Sequence, residues 1–222
     1  MKKLSVLALA SVALLFSACG GNNKTATSEE QKVAEKTGDV YAVNLDSSKV
    51  TWKATHKGGF APRWGTIAIK SGEISSAEGQ VTSADFVIDM QAIIVDSASV
   101  TEKDKKASEL EAHLKSPDFF NVEKIPTAEF KVTKISDLAT APADAVTGAN
   151  KTVSGNLTLL GKTLNVTFPA KITVDATAVS VLAKFVVNRT DWGIKFGSTT
   201  ADPAEWMISK DIEIGIDVKA AK

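Results

Sequence analysis

The side chains with the most chemical potential in this sequence are few: Cys19, His56, His113, Arg63 and Arg189 are the only cysteine, histidines and arginines in 222 residues. A single cysteine can form neither an internal disulfide nor a cysteine metal cluster. Two isolated histidines seldom make a metal site, so the expected metal-ligand set is none. His56 falls on the inward face of a strand pattern, where a satisfied structural histidine is the ordinary reading and a hydrogen bond to a quinone-like head group the sharper one. His113 closes a helical pattern and is expected to fix that end through a hydrogen bond. Arg63 and Arg189 lie beside Trp64 and Trp192. Ring stacking, or an ion pair of Arg189 with Asp191, explains them, and a head-group contact at a cavity mouth is the alternative for Arg189. A nucleophile elbow, a His-Glu-x-x-His motif, a phosphate-cradling glycine loop and a Ser/His/Asp order are all missing from the sequence. Catalytic residues and cofactors are therefore expected to be none.

Cys19 has a different chemistry in view. Lys2-Lys3, a mostly apolar stretch from Leu4 to Phe16 and the small pair Ser17-Ala18 have the layout of a secretory signal over residues 1–18. The apolar stretch falls short of the roughly 20 residues a membrane-crossing helix needs. Leu15-Phe16-Ser17-Ala18-Cys19-Gly20 resembles the bacterial lipobox, with Phe16 where leucine is usual. The resemblance implies that Cys19 receives a diacylglyceryl group and becomes the N-terminus of a lipoprotein carrying palmitate-type chains. Two or more chains hold firmly to a bilayer where one is marginal. The expected location is the cell envelope, lipid-anchored at the outer membrane and facing the periplasm. Gly20 follows the cysteine in place of the aspartate associated with inner-membrane retention in some bacteria.

The whole chain has 26 basic and 26 acidic side chains. Loss of Lys2 and Lys3 with the signal leaves 24 against 26, a balance of −2, which argues against a nucleic-acid partner. From residue 19 to 39 the composition is polar with hardly an apolar residue, too little to offset the entropy of ordering it. It reads as a flexible tether spanning roughly 25 Å. One domain then runs over residues 40–219.

Within that domain the dominant period is two, as in strands with one buried face. Leu164, Val166, Phe168, Ala170, Ile172 and Val174 alternate with mostly polar neighbours. Ile212 to Val218, Val179 to Val187, Val50 to His56, Ala84 to Met90 and Ala128 to Val132 repeat the pattern, and Gly65–Ile74 and Thr152–Leu160 are weaker candidates. Turn residues at Gly58-Gly59, Gly72, Gly79, Gly161-Lys162 and Asp175-Ala176 suit hairpins between these runs. About eight such strands imply an all-β closed barrel or sandwich, closure removing exposed edges. Thr101-Glu102-Lys103-Asp104 reads as a helix N-cap, followed by Ala107, Leu110 and Leu114 at helical spacing and stopped by Pro117.

The run from Ser116-Pro117-Asp118-Phe119-Phe120-Asn121-Val122-Glu123-Lys124 to Ile125-Pro126-Thr127-Ala128-Glu129-Phe130, preceded by His113-Leu114-Lys115, is similar to the YceI family of exported lipid-binding proteins. Ser48-Lys49-Val50-Thr51-Trp52 with His56, Gly155 to Thr163, and Arg189-Thr190-Asp191-Trp192-Gly193-Ile194 resemble it in the same order. Gly58-Gly59-Phe60-Ala61-Pro62 departs from the family's usual stretch after the histidine.

The resemblance implies an eight-stranded antiparallel lipocalin-like β-barrel with one or two short helices. It also implies an apolar tunnel for a polyisoprenoid or another long-chain amphiphile, an isoprenoid quinone included. The alternation by itself favours a packed core over a tunnel, since folding requires it in either case. Candidate ligand-binding residues are Trp52, His56, Phe60, Phe86, Phe119, Phe120, Phe130, Phe168, Phe185, Arg189 and Trp192. The partners expected are a lipid ligand and the membrane through Cys19, with a homodimer left open. The alternative is a non-enzymatic envelope stress or protein-interaction module whose barrel is packed solid.

Overall fold

A computed structural model describes residues 24–56, 59–199, 203 and 207–222. The signal at 1–18, Cys19 and Gly58 lie outside the described residues. Eight strands form a closed antiparallel ring: β3 (Lys49–His56), β4 (Ala61–Ala77), β5 (Gln80–Val95), β6 (Thr127–Asp137), β7 (Lys151–Leu159), β8 (Lys162–Val174), β9 (Ala178–Asn188) and β10 (Asp211–Ala221). Each strand pairs with the next, and β10 closes the ring against β3. These correspond to the eight alternating runs of the sequence.

Chain reversals follow the expected chemistry where both central residues take positive φ. Glu78-Gly79 joins β4 to β5 at φ 52° and 73°, and Leu160-Gly161 joins β7 to β8 at 50° and 74°. Such mirror-image turns match the twist of the strands they connect. Gly72 is not a turn. It lies within β4, where a Cβ would come within 2.7 Å of the Phe86 ring.

Two short strands precede the ring: β1 (Thr27–Ser28) and β2 (Asp39–Val43). β2 pairs with the lower half of β4 and with the end of β10, the position that β3 occupies against their other halves. Residues 39–56 are thus one stave interrupted by a turn.

The expectation of a flexible tether through residue 39 is corrected for residues 24–38, which lie on the barrel as a belt. The β8–β9 ladder stops at Ala170↔Ala183, next to Pro169, which has no N–H to donate. Above that point the strands separate, and the belt enters between them. Thr27 and Ser28 pair with Val166 and Asn165 of β8, and Lys24 bridges Val186 of β9.

The belt then crosses the outside of β7, where the backbone of Gln31 makes two hydrogen bonds with the side chain of Asn156, at 3.0 and 2.7 Å. Ala34 donates at 2.9 Å to the carbonyl of Val132, beside a register shift between β6 and β7. Lys36 pairs with Asp85 at 2.6 Å and with Glu73, and both carboxylates raise its pKa above the ordinary lysine value. The signal missed was not hydrophobic. These contacts are made largely through backbone groups, which leave no mark on composition.

Helix α1 (Ala107–Lys115) begins later than the N-cap expected at Thr101. Glu102 is held instead by both of its oxygens on Arg63, at 2.7 Å each, which ties the preceding loop to β4. Glu109 accepts from the Lys106 N–H at 3.2 Å to start the helix, and Glu111 accepts from the N–H of Val95 at 2.9 Å. α1 therefore covers the barrel end at which β5 finishes. One apolar cluster fills the middle of the barrel, and a second, with Trp52, Met90, Leu114 and Phe119, lies under the helix.

Asn156 and Asn165 face outward from their strands yet are buried, because the belt covers them. Replacing Asn156 with Ala would leave the Gln31 backbone groups without a buried partner and is expected to cost about 2 kcal/mol in urea unfolding. Gln31→Ala keeps those backbone groups and should change stability by less than about 0.5 kcal/mol.

Candidate functional site

The inward face of the ring brings four of the expected residues into one row. Phe86 on β5, Phe130 on β6, Phe168 on β8 and Phe185 on β9 are each in register with the apolar set of their strand. Ring centres are 6.5 Å apart for Phe86 and Phe130, 5.8 Å for Phe130 and Phe168, and 4.1 Å for Phe168 and Phe185. The last pair is stacked with planes 5° from parallel. Gly155 makes this row possible, since a Cβ there would fall 2.2 Å from the Phe130 ring.

Phe86, Phe130 and Phe168 border an apolar cavity of about 70 Å³ in the middle of the barrel. Val50, Ile69, Ile74 and Val218 complete much of its wall, and no polar residue contributes. These aliphatic residues are not among the expected ligand contacts, although the alternation of β3 and β10 marks Val50 and Val218 as inward.

A second group of expected residues sits at the helix end. Phe119 is buried, and its ring meets His113 edge-on at 5.0 Å and Phe196 at 5.3 Å. His113 shares a hydrogen bond with Asp118 across 3.0 Å and so fixes the helix to the loop after it, as expected. Phe120 packs on the same cluster. Trp52 is buried there too, and its indole N–H has no acceptor among the described residues. His56 is half-buried at the end of β3 and bridges Ile208. None of these borders the central cavity. Phe60 joins neither group and is 91% exposed.

Arg189 is corrected in role. It is only 4% exposed and makes no ion pair with Asp191. Its Nε donates to the Ser209 carbonyl at 2.9 Å, Nη1 to Ile194 at 2.8 Å, and Nη2 to Phe196 at 2.8 Å and Ile208 at 3.1 Å. Four of the five N–H donors of a guanidinium are thereby committed, and the carbonyl dipoles compensate a cation that burial would otherwise disfavour. The desolvation pulls its pKa below the usual arginine value. Arg189 thereby ties the backbone at Ile194, Phe196, Ile208 and Ser209 to the end of β9. Trp192 is likewise structural: it is buried and donates to the Leu157 carbonyl at 3.0 Å. No group of three or more His, Cys, Asp or Glu suited to a metal ion occurs among the described residues.

A family model described as YceI-like domain matches residues 41–220. Over 69 residues the chain is 39% identical to a UPF0312 protein of Pseudomonas aeruginosa, a stretch that covers 31% of each. A UPF0312 protein of Pseudomonas paraeruginosa matches to the same extent. The match thus spans about a third of the length of these relatives.

Among solved structures, BcnA of Burkholderia cenocepacia superposes with a TM-score of 0.56 at 20% identity, over 81% of this chain and 99% of that one. A polyisoprenoid-binding domain from Saccharophagus degradans, implicated in plant cell wall breakdown, does so with a TM-score of 0.56 at 15% identity, over 82% and 97%. At these identities the likeness is one of fold.

The geometry around Arg189 predicts that Lys is a poor replacement, because a point charge cannot reach four carbonyls that a planar fork serves together. Arg189→Lys is expected to lower unfolding free energy by about 2 kcal/mol in urea. Faster amide hydrogen exchange over residues 194–199 should accompany the loss.

Proposed function

The chain belongs to the YceI-like domain family, and from that premise we propose that it binds or carries a polyisoprenoid, or another long-chain amphiphile such as an isoprenoid quinone, inside the barrel without catalysing a reaction. The observation that carries this reading is the phenylalanine row bordering a wholly apolar cavity at the centre of the ring. A tail of isoprene units would gain about 25 cal/mol for each Å² of apolar surface it buries there, an affinity spread over many contacts. The Saccharophagus neighbour is described as polyisoprenoid-binding, which supports the same ligand class for this fold.

In this reading Cys19 is lipidated and holds the barrel to the envelope, at the outer membrane facing the periplasm. The belt shortens the expected reach. The first described contact is at Lys24, and the chain from Cys19 to that residue can span at most about 17 Å. The barrel then stays next to the bilayer from which its ligand is drawn, at a high effective concentration.

The size of the cavity favours a second reading. Its volume of about 70 Å³ is less than half of the roughly 150 Å³ known to admit benzene in an engineered core. A long tail therefore requires the phenylalanines to change rotamer and the barrel to widen. A barrel that never does so is a packed scaffold for an envelope stress or protein-interaction module.

Extraction of the mature chain purified from its native membranes, followed by mass spectrometry, is expected to yield an isoprenoid lipid. Repeated recovery of empty protein that also fails to take up added polyprenols or quinones would leave the packed scaffold as the better account. Cys19→Ser should shift the domain to the soluble fraction while leaving its ligand affinity unchanged.

A further inference from the structure

The β5–β6 ladder covers only Asp85 to Asp89 on β5, so the first residues of β5 stand apart from β6 at the barrel end remote from α1. A cleft of about 190 Å³ occupies this place, bordered by Gln80, Val81, Ile135, Asn150, Lys151 and Ile172 among others. Val81, Ile135 and Ile172 also border the central cavity, so the two spaces share a wall. One is wholly apolar and the other carries the only lysine in either lining. The cleft exceeds the roughly 150 Å³ that admits a benzene ring.

The polar groups in the cleft are biased toward donation. Asn150 is tied to the backbone of Ile172, its amide donating one hydrogen to the carbonyl and its oxygen accepting from the N–H, both at 2.9 Å. Lys151 has a side chain only 16% exposed. Its ammonium donates at 2.5 Å to Gln80 Oε1 and at 2.5 Å to Asp137 Oδ1, which leaves one of its three hydrogens. Because Gln80 accepts through its oxygen, its amide nitrogen retains its donors. Asp137 already balances the lysine charge, so an anionic group would meet a neutral pair, whereas an uncharged acceptor oxygen can take the remaining Lys151 hydrogen together with one from the Gln80 amide.

We propose that this cleft is a subsite for the uncharged, oxygen-bearing head of a long-chain amphiphile, a hydroxyl or a ring carbonyl, with Lys151 Nζ and the Gln80 amide as its donors. The proposal rests on the lipid reading above and assigns an orientation to the ligand. The head lies at the end of the barrel away from α1, and the tail runs past Ile135 and Ile172 toward the phenylalanine row. Lys151, not Arg189, is then the cation that selects the head group.

The test compares a polyprenol with squalene, an isoprenoid hydrocarbon that has no oxygen, by equilibrium partition of each labelled probe into the mature chain carrying Cys19→Ser. Lys151→Met keeps the length of the apolar stem and removes the donor. It is expected to weaken polyprenol binding about tenfold, the usual scale for a hydrogen bond to a charged group, and to leave squalene unchanged. Asp137→Asn breaks the ion pair but keeps the ammonium, and should preserve the preference for the polyprenol. A Lys151→Met protein that loses affinity for both probes equally, or for neither, would overturn the subsite while leaving lipid binding in place. Failure of the unaltered chain to take up either probe would remove the lipid reading itself, and the subsite with it.

Discussion

The structure depends on how a sheet that does not pair along its full length can still be closed. Strands β8 and β9 part after Ala170↔Ala183, and β5 and β6 pair over only a short stretch. Each parting exposes backbone N–H and C=O groups that would otherwise need water beside an apolar interior. The N-terminal belt closes the first and meets part of the second: β1 enters the first split, and Ala34 docks on Val132 near the second while packing on the central cluster. The buried asparagines 156 and 165 follow from this arrangement. On an uncovered barrel they would be ordinary surface residues.

Closure of this kind leaves the interior free to be apolar without exception. Phenylalanines from four strands form one row because the alternation brings them to the same face, and glycines 72 and 155 supply the depth their rings need. The polar work is displaced to the ends. At one end Arg189 organises a loop by holding carbonyls, and at the other Lys151 stands beside a cleft.

The barrel was legible in the sequence because burial of one strand face writes a period of two into side-chain type. All eight ring strands carry that period, and Phe86, Phe130, Phe168 and Phe185 were singled out by it. The belt was not legible, since its partners are backbone groups and its side chains are those of a solvated coil. Two outward asparagines opposite each other on β7 and β8 were the available hint. Arg189 misled for a related reason: a buried arginine bound only to carbonyls has no carboxylate partner to mark it. Phe60 falls outside the alternating runs, in the stretch that departs from the family pattern, and its side chain is exposed there. The helix begins five residues late because Glu102, which looks like part of a cap, is claimed by Arg63.

The belt also bears on the order in which the molecule assembles. Hairpins such as β7–β8 join residues a few positions apart, whereas Thr27 meets Asp191 across 164 positions and Gln31 meets Asn156 across 125. Loop-closure entropy makes such distant pairings slow relative to local ones. Val186, the belt's first partner, lies near the end of the chain, so this segment is synthesised early but waits for almost everything after it. The belt is made before the strands it docks on and must wait for them, as β3 must wait for β10 before the ring can close.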